Sequence, residues 1–246
     1  MPASPIRPVA ARSAVLSLLI GAEVAELSAR ELVAGGGLVG VAESTVRAAL
    51  SRMTAAGDLA RTTDGYRLSD RLRERQRRQE DAVHPRRVDR AGGWAGDWEM
   101  FTVTAAGRPA DERAELRSRL QGLRLAELRE GLWLRPANLE LEWTEEVLVL
   151  GERFVARPAR SADELVALLW DLDAWAATAR SLLEATRTDD PARRFAACIT
   201  SARHLLADPV LPVALLPRDW PGEALRAEHL AYRAWLQEMR RAAAGG

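Results

Sequence analysis

Apolar residues recur at helical spacing through the segment beginning at Glu43, where Val46, Ala49, Leu50 and Met53 form one stripe. Winding that segment at 3.6 residues per turn places Ser44, Arg47, Ala48, Ser51 and Arg52 on the opposite face, with Thr45 beside them. Ahead of it, Ala11–Ile20 reads as a helix whose Val15, Leu16, Leu18 and Leu19 face a core, and a short helix over Arg30–Ala34 follows Ser28. Behind it, Gly57 stops the helix and Leu59 to Thr62 reads as a strand. Asp64-Gly65 reads as a two-residue hairpin turn, and Tyr66-Arg67-Leu68 as the return strand. Helix, glycine turn, second helix and hairpin make the outline of a winged helix-turn-helix, whose second helix enters the DNA major groove.

Small residues and two arginines on an outer helix face suit close approach to base edges. Arginine forms a paired hydrogen bond with guanine, and serine bonds to any base. Arg61 and Arg67 flank the hairpin turn, where a wing meets phosphates. The competing reading is an amphipathic helix with a solvated outer face; the hairpin favours DNA reading. Gly35, Gly37 and Gly40 match a G-x-G-x-x-G pattern, but a helix precedes them where a nucleotide site needs a strand. They are expected to end the preceding helix and make the turn.

Beyond Leu68 the pattern changes twice. A charged helix, expected to be an exposed linker, runs from Ser69-Asp70 to about Ala82, and His84–Gly93 reads as a hinge after it. Asp97–Thr104 alternates like a strand, Asp111–Leu123 is an amphipathic helix, and Glu130–Pro136 and Glu146–Phe154 read as further strands. Closed by a helix from Ser161, this order suggests a ferredoxin-like α+β unit. Helical periodicity then dominates: a long run from Ala162, Ala192–Leu206 after Asp190-Pro191, a proline-dense segment, and Glu223–Arg241. The expected architecture is α+β. It comprises a winged helix with linker helix over 10–82, a ferredoxin-like domain over 94–160 and a helical domain over 161–241.

Hydrophobic residues make up 48% of 246, enough for packed cores. Formal charge sums to zero, yet residues 1–90 hold 15 Arg against 11 acidic residues and the remainder 20 against 24. The basic excess therefore coincides with the DNA-reading end. Every basic residue other than histidine is arginine, so arginine abundance alone says little. The single Cys198 fits a reducing compartment and a small core residue. No run approaches ~18 apolar residues and the start lacks a signal-peptide pattern, so a soluble, cytoplasmic protein is expected.

Candidate chemistry is sparse. His84, His204 and His229 are scattered, no metal-ligand cluster or nucleophile motif is visible, and no cofactor is called for. Asp171 and Asp173, two apart on a helix, point to different faces and are expected to cap or pair structurally. A metal-dependent nuclease, like the small ferredoxin-like nucleases of CRISPR systems, needs an aspartate ending the first strand. Thr104 or Ala105 stands there, and Asp97 lies at the other end. A protein-interaction scaffold using the winged helix is the third reading.

Five separated motifs resemble the PaaX-like regulators, the family of the phenylacetate-degradation repressor. They are Val46-Arg47 with Ala49-Leu50-Ser51-Arg52-Met53 and Gly57; Trp94 with Gly96-Asp97-Trp98; and Gly131-Leu132-Trp133-Leu134-Arg135-Pro136. The others are Trp170-Asp171-Leu172-Asp173, and Asp208-Pro209-Val210-Leu211-Pro212 with Leu215 through Gly222. Ala42 departs from the usual serine-like helix cap, Val103 through Gly107 from the usual turn, and Arg203-His204 from a more aromatic stretch. The resemblance implies a homodimeric repressor of a catabolic operon that binds a pseudo-palindromic operator and is released by an aryl-acyl-CoA such as phenylacetyl-CoA. An acyl-CoA calls for arginines beside an apolar slot. Arg135, Arg203 and Arg218, in or beside these motifs, are the candidates, with Trp220 as a pocket wall or dimer seam.

Overall fold

The structure, a computed structural model, describes residues 9–22, 26–88, 93–105 and 107–245. The proline-rich start over 1–8, residues 89–92 of the expected hinge, Ala106 and Gly246 lie outside the described residues. The first elements are α1 (Ala11–Ile20), β1 (Glu26–Leu27), α2 (Ala29–Leu38), α3 (Glu43–Ala55), β2 (Leu59–Arg61), β3 (Tyr66–Leu68) and α4 (Asp70–Val83). Next come β4 (Trp98–Val103), α5 (Ala110–Gly122), β5 (Ala126–Arg129), β6 (Leu132–Pro136), α6 (Glu145–Leu148) and β7 (Gly151–Ala156). The chain closes with α7 (Ala162–Leu169), α8 (Leu172–Ala185), α9 (Pro191–Leu206), a 3-10 turn at Val213–Leu215 and α10 (Gly222–Gly245). The fold class is α+β.

The chain divides into two compact units. The first combines the segment up to Val83 with Thr178–Leu205 and the residues from Pro221 onward. Its core gathers Val15 and Leu19 of α1, Leu32 of α2, Val46 and Leu50 of α3, and Phe195, Tyr232 and Leu236 of α9 and α10. The winged helix thus shares one apolar core with the last two long helices. Sequence periodicity places the α3 stripe correctly: Val46, Ala49, Leu50 and Met53 are its buried residues.

The glycines differ from expectation. Instead of ending at Ala34, α2 runs through Gly35, Gly36 and Gly37 to Leu38. A Cβ on Gly35 would stand 2.8 Å from Leu18 Cδ2, and one on Gly36 2.5 Å from Val46 Cγ2, so these two glycines admit α1 and α3 against α2. Only Gly40, with φ of 78°, makes the left-handed turn out of the helix. The exposed linker helix is also revised. α4 buries Leu72, Ala82 and Val83; Gln76 donates to the Ile20 carbonyl at 3.2 Å, and Glu80 pairs with Arg233 of α10 at 2.8 Å.

The second unit comprises His84–Ala177 and Leu206–Trp220. Its antiparallel sheet runs β5-β6-β4-β7, the order of a ferredoxin-like split βαβ arrangement. Two strand expectations change. β5 falls between the expected helix and the expected Glu130–Pro136 strand, where four residues are too few to show alternation. Glu146–Phe154 divides into α6 and β7 because Glu145, Glu146 and Val149 form a helical turn before Gly151. At Gly151 a Cβ would meet the Thr102 carbonyl at 2.3 Å. The long run from Ala162 breaks at Trp170, which is extended (φ −139°, ψ 137°), and Asp171 accepts from the Ala174 N–H at 2.9 Å as the cap of α8. α10 continues past Arg241 to Gly245.

Candidate nucleic-acid interface

α3 presents Ser44, Thr45, Arg47, Ser51 and Arg52 exposed and Ala48 half-buried, opposite its buried stripe. Its start is cap-poor: Ala42 occupies the N-cap and offers no side-chain acceptor. Gly57, with φ of 70°, turns the chain out of α3. Asp58 follows, 5% exposed, and its carboxylate takes Arg12 of α1 at 2.8 Å and Arg71 of α4 at 2.5 Å. Two helices are thereby clamped to the base of α3.

The hairpin of β2 and β3 is joined by β1 in a three-stranded sheet of order β1-β3-β2. Its turn centres on Thr63-Asp64 rather than on Asp64-Gly65. The Thr62 N–H donates to the Gly65 carbonyl at 3.0 Å, and the Gly65 N–H donates to Thr62 Oγ1 at 2.9 Å. Gly65 serves close approach instead, since a Cβ there would lie 2.2 Å from the Leu27 carbonyl oxygen of β1. The register pairs Leu59 with Leu68, Ala60 with Arg67 and Arg61 with Tyr66. Opposed residues share a face, so Arg61 and Arg67 lie on opposite faces of the wing.

The charge pattern divides the four arginines. Arg47 Nε donates to Glu43 Oε1 at 2.7 Å across one turn. Among the described residues Arg52, Arg61 and Arg67 make no ion pair, and all three are exposed. Sequence reasoning missed Glu43, although a glutamate four residues before an arginine on a helix signals such a pair. It also missed the Asp58 clamp, whose partners lie 46 and 13 residues away and leave no periodic trace.

The effector candidates fall in both units. Arg203 is exposed on α9 in the first. Arg135, in the second, is fully buried and donates to the Pro136 carbonyl at 3.0 Å, to Asn138 Oδ1 at 2.9 Å and to the Val210 carbonyl at 3.4 Å. Burial and the neighbouring Arg124 push its ionisation below the ordinary arginine range. Asp208 Oδ1 accepts from the Val210 N–H at 2.8 Å, holding Val210 at φ of 49°, a left-handed backbone that a β-branched residue rarely adopts. Arg135 thus belongs to a buried polar knot that fixes the Asp208–Leu211 turn. Arg218 is exposed, and Trp220 stacks on Trp175 with centroids 4.5 Å apart. Asp97 pairs with Arg157 at 2.8 Å at the start of β4. Among the described residues no three His, Cys, Asp or Glu side chains gather as a metal site, and no helix is long and apolar enough to cross a membrane.

Three family models match in order: PaaX-like protein over residues 10–72, PaaX protein central Cas2-like domain over 91–159, and PaaX-like protein C-terminal domain over 170–244. No curated protein matches the chain. Among solved structures, the uncharacterized protein Rv0674 from Mycobacterium tuberculosis is 43% identical, with 95% of this chain and 98% of that chain covered and a TM-score of 0.80. The chain therefore belongs to the PaaX-like family, whose members are generally DNA-binding transcriptional regulators of phenylacetate catabolism.

Proposed function

We propose that this chain is a cytoplasmic, non-enzymatic repressor that binds a pseudo-palindromic operator as a homodimer and leaves it when an aryl-acyl-CoA binds. The observation carrying this reading is the outer face of α3 beside a wing, with three exposed arginines that make no ion pair among the described residues. Ser44, Thr45, Arg47, Ala48 and Ser51 would face base edges, and Arg52, Arg61 and Arg67 the phosphates. The dimer reading is supported by β7, an edge strand of the second unit that leaves Phe154 51% and Val155 56% exposed. A strand edge with large apolar side chains is a surface that a second copy can cover.

A mobility-shift titration with the DNA upstream of the protein's own coding region tests the reading. A specific, salt-dependent shift is expected, reversed by an aryl-acyl-CoA. Absence of any sequence-specific shift would leave the scaffold reading in its place.

A further inference from the structure

The first unit carries a partly open cavity of about 130 Å³ among α1, α4, α9 and α10. Phe195, Ile199 and Leu236 make apolar walls, and Arg12, Arg203, Arg233 and Arg240 stand around them. An apolar cavity of about 150 Å³ accepts benzene, so this volume fits one ring or a short branched chain. Tyr232 also lines it. Its hydroxyl is buried and has no hydrogen-bond partner among the described residues, so a ligand oxygen beside it would gain a hydrogen bond. Three of the arginines are held by carboxylates: Arg12 by Asp58 at 2.8 Å, Arg233 by Glu80 at 2.8 Å and Arg240 by Glu31 at 2.5 Å. Arg203 makes no ion pair among the described residues. The one thiol on the wall, Cys198, is pushed up to about 12 by burial, so the cavity offers a binding site without a nucleophile.

We infer that this cavity is the regulatory site: it takes the aryl-acyl group of the effector, with the acyl oxygen on Tyr232 and the anionic part drawn to Arg203. The inference rests on the reading of α3 as a DNA reader released by an acyl compound. The cavity is wired to that reader through its own walls. Arg12 holds Asp58 behind α3, and Arg240 holds Glu31, the carboxylate that caps α2 together with Ser28. An anion entering the cavity competes with both carboxylates, and so acts on both helices of the reading motif. That differential contact is what release of DNA requires.

Thermal-shift and calorimetric titrations of the full chain with phenylacetate and, separately, phenylacetyl-CoA test the site and identify which form it accepts. At least one should raise Tm saturably. Arg203→Ala should weaken that ligand about tenfold, the usual worth of one charge-assisted hydrogen bond. Ala202→Leu, which fills the cavity from α9, should abolish binding. Arg203 is exposed, so its variant stays informative if the filled cavity fails to fold. Asp58→Asn should retain ligand binding while DNA affinity ceases to respond to it. Neither ligand binding, or both binding equally to wild type and Arg203→Ala, would overturn the inference even where DNA is shifted specifically. A chain that binds ligand in this cavity but no operator would sink the DNA-reading proposal instead.

Discussion

Arg47 reaches Glu43 at 2.7 Å, and both side chains are more than half exposed, so the pair contributes only about 0.2–0.5 kcal/mol and would open readily if Arg47 were to meet a base edge. Arg52 lies 140° further round the helix and is not held in this way, so the two arginines should not do the same work. Arg47→Ala should cost roughly 1–3 kcal/mol at the operator and relax preference at one base pair per half-site. Arg61→Ala should weaken all sequences alike and reduce the salt slope by about 0.9 per lost contact. Titration of operator variants at several salt concentrations separates the two, and unchanged affinity and preference for Arg47→Ala would show that α3 is not the reader. Beside them, Ala42 leaves the first N–H groups of α3 without a side-chain acceptor. Ala42→Ser should stabilise the chain by about 1 kcal/mol in a denaturant melt. No gain would mean that those groups already have an acceptor.

Among the elements, β1 is two residues long and depends on Gly65 for its place against the hairpin. A methyl there would press on the Leu27 carbonyl, which is backbone and cannot turn aside. Gly65→Ala should therefore cost about 1–3 kcal/mol of stability, and lift β1 so that amide exchange at Leu27 and Tyr66 rises. α2 supplies a pH-dependent counterpart. Burial opposes ionisation of Glu31, but hydrogen bonds from Ser28 and the charge of Arg240 outweigh it and hold the carboxyl below its ordinary 4.5. A depressed carboxyl contributes stability that is full above that ordinary value and is lost as pH falls through the lower folded one. Melts should fall below about pH 4.5 with Glu31 contributing to the loss, and Glu31→Gln should flatten that part of the curve. An identical acid limb in both proteins would remove Glu31 from the account. These elements also show what periodicity can disclose. The stripe from Val46 to Met53 spans two turns and reports its own burial. β1 is too short to alternate, and the Gly35–Gly36 contacts depend on what arrives from α1 and α3. The Asp58 clamp and the cavity depend on α9 and α10, whose apolar faces are visible in the sequence but whose partners are not.

At the scale of the whole molecule, reading a pseudo-palindrome requires two copies of α3 about 34 Å apart or a multiple of one helical turn. Light scattering at micromolar protein should give a dimer mass, and Phe154→Glu on the exposed β7 edge should reduce it to a monomer with little change in the monomer's own melting. A monomeric wild type would end the symmetric reading. The family was legible in the sequence because its motifs fall in short local elements, several of them built around buried residues such as Met53, Trp98, Trp133, Arg135 and Asp208.

The apolar core under α3 is closed by Phe195, Tyr232 and Leu236. During synthesis the ribosome delivers α3 some 140–190 residues before the side chains that cover its supports. A nascent chain halted in between would expose Leu19 and Leu32, and would meet chaperones or proteases before its core could close. Translation order thus becomes a form of quality control: α3 without α9 and α10 lacks part of the core that supports it, so a prematurely terminated chain is a poorly folded one.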